Sequence, residues 1–463
     1  MSWLRIVVSG VLAGLIGSAA SPVGARAVSY AGERELGARF DMMARQTLPL
    51  VRDPEFVSYV DEIGQTIVGG LDDSFFDYRF SVVRDDSINA FAVPGGYVYV
   101  NIGLIVRAEN DDEIAAVLGH EIAHVHAHHM VRQQEKTQLL SYATLLATLA
   151  GVVQPGLAQV AAAAGQAATL KYRRAFEQEA DYLGVRYLRK TDYDPRAMLD
   201  FFKKLEGQSR LTPLFFPPYL RAHPLTEERL NHLEAVLHAK QWEDHKRRRT
   251  SRRLQRLQAL ARARYLKPQD AVDQYAKLLA ANRGSGQANY LYGVVALEAG
   301  RLEDARAALE KARQLGIVDS GRELGRVALR QRRPLDAIAL LRAYLKRQPD
   351  DAMASVELAK ALEVAGDKDA ARGAYRRALE SFPQLDVAHE GYGLLAGRAG
   401  DTGDGFYHLG IAAQLRGEYG KALEQLRHAV GLFDEHDARR TNAEAEIAKL
   451  EEYLDVDPVA KED

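Results

Sequence analysis

The chain has 463 residues, 47% hydrophobic and 27% charged, with a formal net charge of -2 and no cysteine. That length suits roughly two to four domains, and the charge balance gives no reason to expect nucleic acid as a partner. The lack of cysteine excludes disulfides, thiolate catalysis, a Cys-ligated metal and a lipid anchor on Cys. Ala, Leu and Arg dominate and only 8% of residues are aromatic, the composition of a helical protein.

The first 27 residues read as a signal peptide. Arg5 supplies a positive start, Ile6 to Gly17 an apolar run, and Ala25-Arg26-Ala27 small residues at the two cleavage-determining positions. The alternative, an uncleaved anchor, needs a longer run, because a span takes about 20 apolar residues. An exported, cysteine-free chain rich in Ala and Arg fits a bacterial periplasm.

Residues 32 to 70 look helical, with apolar positions at helical spacing from Phe40 to Val51 and from Phe56 to Val68. Tyr78 to Val83 alternates and predicts a strand. Asn89 to Gly96 holds the turn signal Pro94-Gly95-Gly96. Tyr97 to Asn101 predicts a second strand. Asn110 or Asp111 then caps a helix with acids in its first turn, running through Ile114, Val117, Leu118, Ile122 and Val125.

Between Lys136 and Lys171 no residue is charged. This stretch, 138–170, reads either as two core-packed helices or as an apolar hairpin that touches membrane or covers the active site. Its first run, Leu139 to Val153, is too short to span a bilayer. A charged helix follows over Tyr172 to Lys190, and Asp194-Pro195 starts another with a cap and a proline at its first position. Thr212 to His223 reads as a loop rich in Pro and Phe. Lys246 to Arg264 is strongly basic; residues 241–256 read as a solvated linker helix, or as a contact for acidic lipid headgroups or an acidic partner.

From about Leu260 the sequence repeats. Ala271, Ala305, Ala337, Ala371 and Ala422 occupy equivalent points, and twelve residues before the last four lie Gly293, Gly325, Ala359 and Gly410. Small residues at fixed points let paired helices approach closely, and each pair buries its remaining face against the next. The period resembles the tetratricopeptide repeat. The 51-residue step from Ala371 to Ala422 implies an irregular unit in which a helix near Gly393 lacks a normal partner. Residues 451–463 read as an acidic, frayed tail.

The central chemical signal is His120-Glu121-Ile122-Ala123-His124. Residues four apart share a helix face, so both imidazoles can address one metal while Glu121 reaches an adjacent water. This is the HExxH arrangement of zinc peptidases, with Glu121 as the base. A catalytic zinc wants a third protein ligand. Met130 stands where a metzincin would place a third His, so an acid on a later helix remains. In Glu177-Gln178-Glu179-Ala180-Asp181, Glu177 and Asp181 share a face. We assign Glu177 as third ligand and Asp181 as the acceptor that orients a ligand imidazole; the plain alternative is a charged helix surface. His126, His128 and His129 read as ordinary surface or core histidines, with His128, four beyond His124, nearest the metal face. His223-Pro224, with Arg229 six residues on, offers a loop His. It can stabilise an oxyanion, close the open metal position, or have no role. Tyr97 to Asn101 offers a sheet edge that could pair with extended substrate.

In their order along the chain, Asn89-Ala90-Phe91-Ala92 with Pro94-Gly95-Gly96, then HExxH, then Glu177 to Asp181, then His223-Pro224 with Arg229, resemble the HtpX and CAAX-prenyl-endopeptidase family of zinc peptidases. The resemblance implies one zinc ion held at His120, His124 and Glu177, a base at Glu121, and His223 and Arg229 facing the site. Members with a signal peptide and C-terminal tetratricopeptide repeats act in the periplasm on unfolded or misassembled outer-membrane proteins and their assembly machinery. Arg173-Arg174 departs from the Ser-Arg common in the family. HtpX has transmembrane helices, whereas this chain lacks a convincing mature span.

The expected architecture is mainly α: a zincin-like α+β peptidase domain with a small sheet at 28–240, the linker at 241–256, and an α-solenoid of tetratricopeptide repeats at 257–450. The competing functional reading is a non-proteolytic scaffold whose zinc is capped by His223. A purely structural zinc site has no use for Glu121 beside its ligands.

Overall fold

The computed structural model describes residues 30–136, 166–211, 217–238 and 250–456. The expected signal peptide, most of the uncharged 138–170 segment, residues 241–249 of the linker and the last seven residues lie outside them.

The first helix, α1 (Tyr30–Thr47), ends earlier than its apolar spacing suggests. Pro49 disfavours helical backbone at the residue before it, and β1 (Leu50–Val51) instead pairs antiparallel with Val82 and Val83. Asp53 caps α2 (Pro54–Val68), its carboxylate accepting from the Glu55 amide at 3.0 Å. Strands β2 (Arg79–Val83), β3 (Ala90–Val93) and β4 (Tyr97–Asn101) complete a sheet in the order β1-β2-β4-β3. Only the β2–β4 pair is parallel.

Two expectations change here. The segment read as a turn contains a strand, β3, whose four residues are all buried and therefore show no alternation. And β4 is an interior strand, hydrogen-bonded on both sides. The edge strands are β1 and β3, so β4 cannot receive a substrate backbone.

After α3 (Ile102–Arg107), Asn110 caps α4 (Asp111–His126) by accepting from the Glu113 amide at 3.0 Å. This is the HExxH helix. It stops at His126; His128 takes a left-handed φ of 52°, and α5 (His129–Lys136) starts in a new direction. Helix α6 (Gln166–Leu188) crosses α4 where Gly119 meets Gly184. A Cβ on Gly184 would stand 3.1 Å from the Gly119 carbonyl carbon, so the two backbones nearly touch at the residue before His120. Helix α7 (Ala197–Leu211) follows Asp194. The expected Pro/Phe loop contains a short helix, α8 (Pro218–Ala222), and His223 is its C-terminal cap. Helix α9 (Glu227–His238) carries Arg229.

The remaining helices form the repeats: α10 (Arg252–Arg264) with α11 (Pro268–Ala281), α12 (Gly286–Glu298) with α13 (Leu302–Gln314), α14 (Ser320–Arg330) with α15 (Pro334–Leu345), and α16 (Ala352–Ala365) with α17 (Lys368–Ser381). Then come α18 (Asp386–Arg398), α19 (Thr402–Leu415), α20 (Tyr419–Leu432) and α21 (Ala438–Val456).

Helix α10 corrects the solvated-linker reading of the basic segment. Ala259, twelve residues before Ala271, holds the small position of a first repeat, and Leu254, Leu257 and Leu260 are fully buried. Arg256 is buried too, and its acidic partner is this chain: Glu55 of the N-terminal domain, 2.6 Å away. Gln258 also donates to the Ala108 carbonyl at 2.8 Å.

The irregular unit is also resolved. The helix near Gly393, α18, has a partner in α19, where a Cβ on Gly393 would lie 2.9 Å from the Gly405 carbonyl oxygen. Helix α19 uses Gly410 a turn later to receive Leu426 of α20, so one helix closes two units. The C-terminal segment is helical through Val456, with Leu450 buried and Leu454 packed beside it, instead of fraying from residue 451. The array bends far enough for its distal end to return to the N-terminal domain. Arg52 donates to the Arg416 carbonyl at 2.9 Å, and Tyr419 donates to the Met42 carbonyl at 3.1 Å. Among the described residues no helix is long and apolar enough to cross a membrane.

Candidate metal centre

Helix α4 places His120 and His124 one turn apart, and their Nε2 atoms lie 3.0 Å from each other. The α4–α6 crossing carries Glu177 to the same point: its carboxylate oxygens lie 3.4 Å from His120 Nε2 and 3.6 Å from His124 Nε2. The α8 cap brings His223 Nδ1 to 3.3 Å from His120 Nε2 and 3.2 Å from both Glu177 oxygens. One donor atom from each of His120, His124, Glu177 and His223 thus lies within 4.8 Å of the others.

Those separations have a physical meaning. Four donors about 2.1 Å from a tetrahedral zinc stand roughly 3.4 Å apart. The observed separations of 3.0 to 3.6 Å bracket that edge length. Two imidazole nitrogens and a carboxylate converging in a buried pocket are a donor set that suits zinc, so the residues present fit the ion.

The surroundings complete the focus. Asp181 Oδ1 lies 2.9 Å from His120 Nδ1. Arg229 grips both oxygens of Asp181 at 2.6 and 2.8 Å and reaches Glu177 at 2.9 Å, its guanidinium lying over Phe202. Asp181 thereby backs one imidazole while Arg229 holds both acids. Glu121 is buried, with Oε1 3.4 Å from His223 Nε2, and neither atom has a hydrogen-bond partner among the described residues.

The electrostatics follow from burial and from these neighbours. Burial raises the Glu121 carboxyl above its ordinary range, only partly offset by His223 and His120. Burial acts the same way on Glu177, but His223 and Arg229 outweigh it and hold that carboxylate well below the usual range. Burial disfavours charge on His120, yet Asp181 and Glu177 reverse the balance and push it up to about 9. Burial dominates at His124 and keeps that ring neutral. The negative field that would hold a proton at His120 equally favours a cation at the donor focus.

All seven residues singled out in sequence meet here: His120, Glu121, His124, Glu177, Asp181, His223 and Arg229. His128 does not. The helix has ended before it, and its Nδ1 meets Glu33 of α1 at 2.9 Å. Two other residues lie close by. His129 Nδ1 is 2.9 Å from His124 Nδ1, and the buried Tyr219 stacks on His223 with ring centroids 4.7 Å apart. Helical spacing pointed to position 128 because it assumed an unbroken helix. Tyr219 left one faint trace, its place one helical turn before His223.

Comparison with known proteins defines the class. Residues 57–237 match the family model of peptidase family M48, and residues 256–319 and 322–386 match the tetratricopeptide repeat. Residues 57–237 thus form a domain of the M48 peptidase family, followed by tetratricopeptide repeats. It is 28% identical to the beta-barrel assembly-enhancing protease of Yersinia pestis over 438 residues, 91% of this chain and 87% of that one. A Vibrio cholerae relative also described as a beta-barrel assembly-enhancing protease is 36% identical over 203 residues, 42% of each chain. The mitochondrial metalloendopeptidase OMA1 of Schizosaccharomyces pombe is 29% identical over 182 residues, 39% of this chain and 52% of that one. Alignment with the latter two thus spans about half their length or less.

Proposed function

We propose that this chain is a periplasmic, zinc-dependent endopeptidase that acts in quality control and assembly of outer-membrane proteins. The observation that carries the metal reading is the set of donor separations near a tetrahedral edge at His120, His124 and Glu177. The relatives named for β-barrel assembly support the substrate class, and the N-terminal leader pattern supports the compartment.

In this reading His120, His124 and Glu177 hold the ion, which would supply Lewis-acid polarisation of a water molecule and of the scissile carbonyl. Glu121, whose carboxyl burial raises above its ordinary range, takes a proton from water and delivers it to the departing amine. Asp181 and Arg229 keep His120 and Glu177 in place. Strand β3 offers a sheet edge for an extended substrate backbone. The repeats hold partner segments on their concave face.

One observation favours a second reading. His223 Nδ1 already stands beside His120 and Glu177, where a substrate group would enter. A resting state capped by His223 follows, and in its extreme form the chain works as a scaffold without proteolysis.

The test uses purified full-length protein with casein or an unfolded outer-membrane protein, together with metal analysis. Wild type is expected to hold one zinc per chain and His124→Ala to lose it. Glu121→Gln keeps zinc and loses turnover by about 10²- to 10⁴-fold, the usual share of a general base. A faster His223→Ala variant supports the cap, and a slower one supports oxyanion stabilisation. If neither wild type nor variants cut while partners still bind, the scaffold reading replaces the enzyme.

A further inference from the structure

The far side of His124 is built as deliberately as that of His120, by residues that no motif singled out. His124 Nδ1 faces His129 Nδ1 at 2.9 Å. His129 Nε2 lies 3.2 Å from Glu179 Oε2, and Arg132 Nη1 lies 3.1 Å from the same oxygen. The His129 ring is buried and stacks on Phe176, with centroids 4.6 Å apart and planes 22° apart. Arg132 lies over the same Phe176 ring at 4.8 Å.

The chain deforms to achieve this. An unbroken α4 would carry residue 128 round to the face of His124. Instead the helix ends, His128 adopts its left-handed φ of 52°, and its imidazole is tied to the buried Glu33 at 2.9 Å. Arg132 reaches back to the Ala127 carbonyl at 3.1 Å. These contacts fix a break that turns His129 onto His124. A left-handed non-glycine residue is strained, and such strain persists only when its surroundings hold it.

We propose that His129 is a positioning residue for His124, with Glu179 orienting His129 in turn. The proton positions follow from geometry. Two imidazole nitrogens 2.9 Å apart share one proton, so one donates and the other accepts. If His124 offers the lone pair of Nε2 to a metal, its proton sits on Nδ1 and is donated to His129 Nδ1. His129 then carries its own proton on Nε2, facing the Glu179 carboxylate. The chain Glu179–His129–His124 fixes the tautomer and ring angle of one ligand, as Asp181 does for His120. Helix α6 thus supplies three acids at alternate positions to one centre: Glu177 to the ion, Asp181 to His120, and Glu179 to His124 through His129.

This inference rests on the zinc reading above, and its test separates the two. Zinc affinity of the full-length chain is measured by chelator competition, and thermal unfolding is followed for the zinc-free and zinc-loaded forms. Wild type must bind one zinc; if it does not, the metal reading fails and this proposal with it. His129→Ala is expected to weaken zinc by about 10- to 100-fold, the usual cost of losing such a partner, while zinc-free unfolding stays near wild type. His129→Asn, whose side-chain oxygen can accept from His124 Nδ1, should recover most of the affinity. Glu179→Gln should lose less than His129→Ala. Wild-type affinity in His129→Ala, or equal destabilisation of its zinc-free and zinc-loaded forms, overturns the proposal. If His129→Ala does not fold, Glu179→Gln decides: an unchanged zinc affinity overturns it.

Discussion

Two clusters of buried charge, one at the HExxH helix and one where the repeats meet the catalytic domain, are finished in different ways. At the junction Glu55 is held by Arg256 at 2.6 Å and by Arg322 at 2.7 Å. Glu323 is held by Arg256 and Arg326, and Glu298 by Arg264 and Arg326, all at 2.7 Å. Each acid meets two guanidiniums; among the described residues of this cluster only Ser320 Oγ and the Nε of Arg322 lack a partner. At the candidate metal centre Glu121 Oε1, His223 Nε2 and the Tyr219 hydroxyl all lack one among the described residues, though each is buried. An unpaired buried polar atom costs roughly 1–3 kcal/mol. A structural cluster removes that cost by pairing, whereas a reactive one keeps acceptors and donors open for water and substrate. Incomplete pairing, more than charge or burial, distinguishes the two.

The junction offers the largest effect. Arg256→Ala would leave Glu55 and Glu323 buried with one partner each, and breaking a buried pair in this way costs about 3–5 kcal/mol. Urea unfolding should show that loss while zinc content stays at one per chain.

Acid should act on the same cluster. Burial would raise the Glu298 and Glu323 carboxyls, but Arg264 and Arg326 at the first, and Arg256 and Arg326 at the second, hold both down to about 2. Because the folded values lie below the unfolded one, this stability is complete above about pH 4.5. It is lost as pH falls through about 2. The unfolding free energy from urea titration should therefore drop between pH 5 and 2, by on the order of 3 kcal/mol per group. Glu323→Gln should flatten that slope; an unchanged slope would contradict the pairing.

At the other cluster, Asp181→Asn should weaken zinc about 10- to 100-fold, with little change in the urea midpoint of the zinc-free protein. That is the reverse of the Arg256 pattern. The smallest effect belongs to neither cluster. Gly405→Ala places a methyl 3.0 Å from the Gly393 carbonyl oxygen and should cost about 1–3 kcal/mol by overpacking the α18–α19 contact. Calorimetry of the full chain would measure it.

Legibility in the sequence followed the range of each interaction. The HExxH pair was plain because its spacing is set inside one helix, and so was the cap at Asn110. Repeats were plain because Ala305, Ala337 and Ala371 recur near a fixed period. Strand β3 was not, since a strand buried on both faces has no alternation to read. Nor was the role of α10: its arginines look solvated until Glu55, some two hundred residues earlier, is placed against them. The doubled use of α19 was hidden because Gly405 and Gly410 sit on different faces of one helix, and a search for one small residue per helix finds only the second.

By itself the sequence determined what one helix or one repeat can encode: two imidazoles and an acid on α4, acids at alternate positions on α6, and small residues where repeat helices cross. Tertiary structure alone decided that Gly119 and Gly184 let α6 approach α4, that α8 aims His223 at the same focus, and that His129 rather than His128 meets His124. Local spacing is governed by backbone geometry, which every helix shares. Convergence of residues a hundred positions apart depends on which surfaces exclude water together, and that follows only from the packed whole.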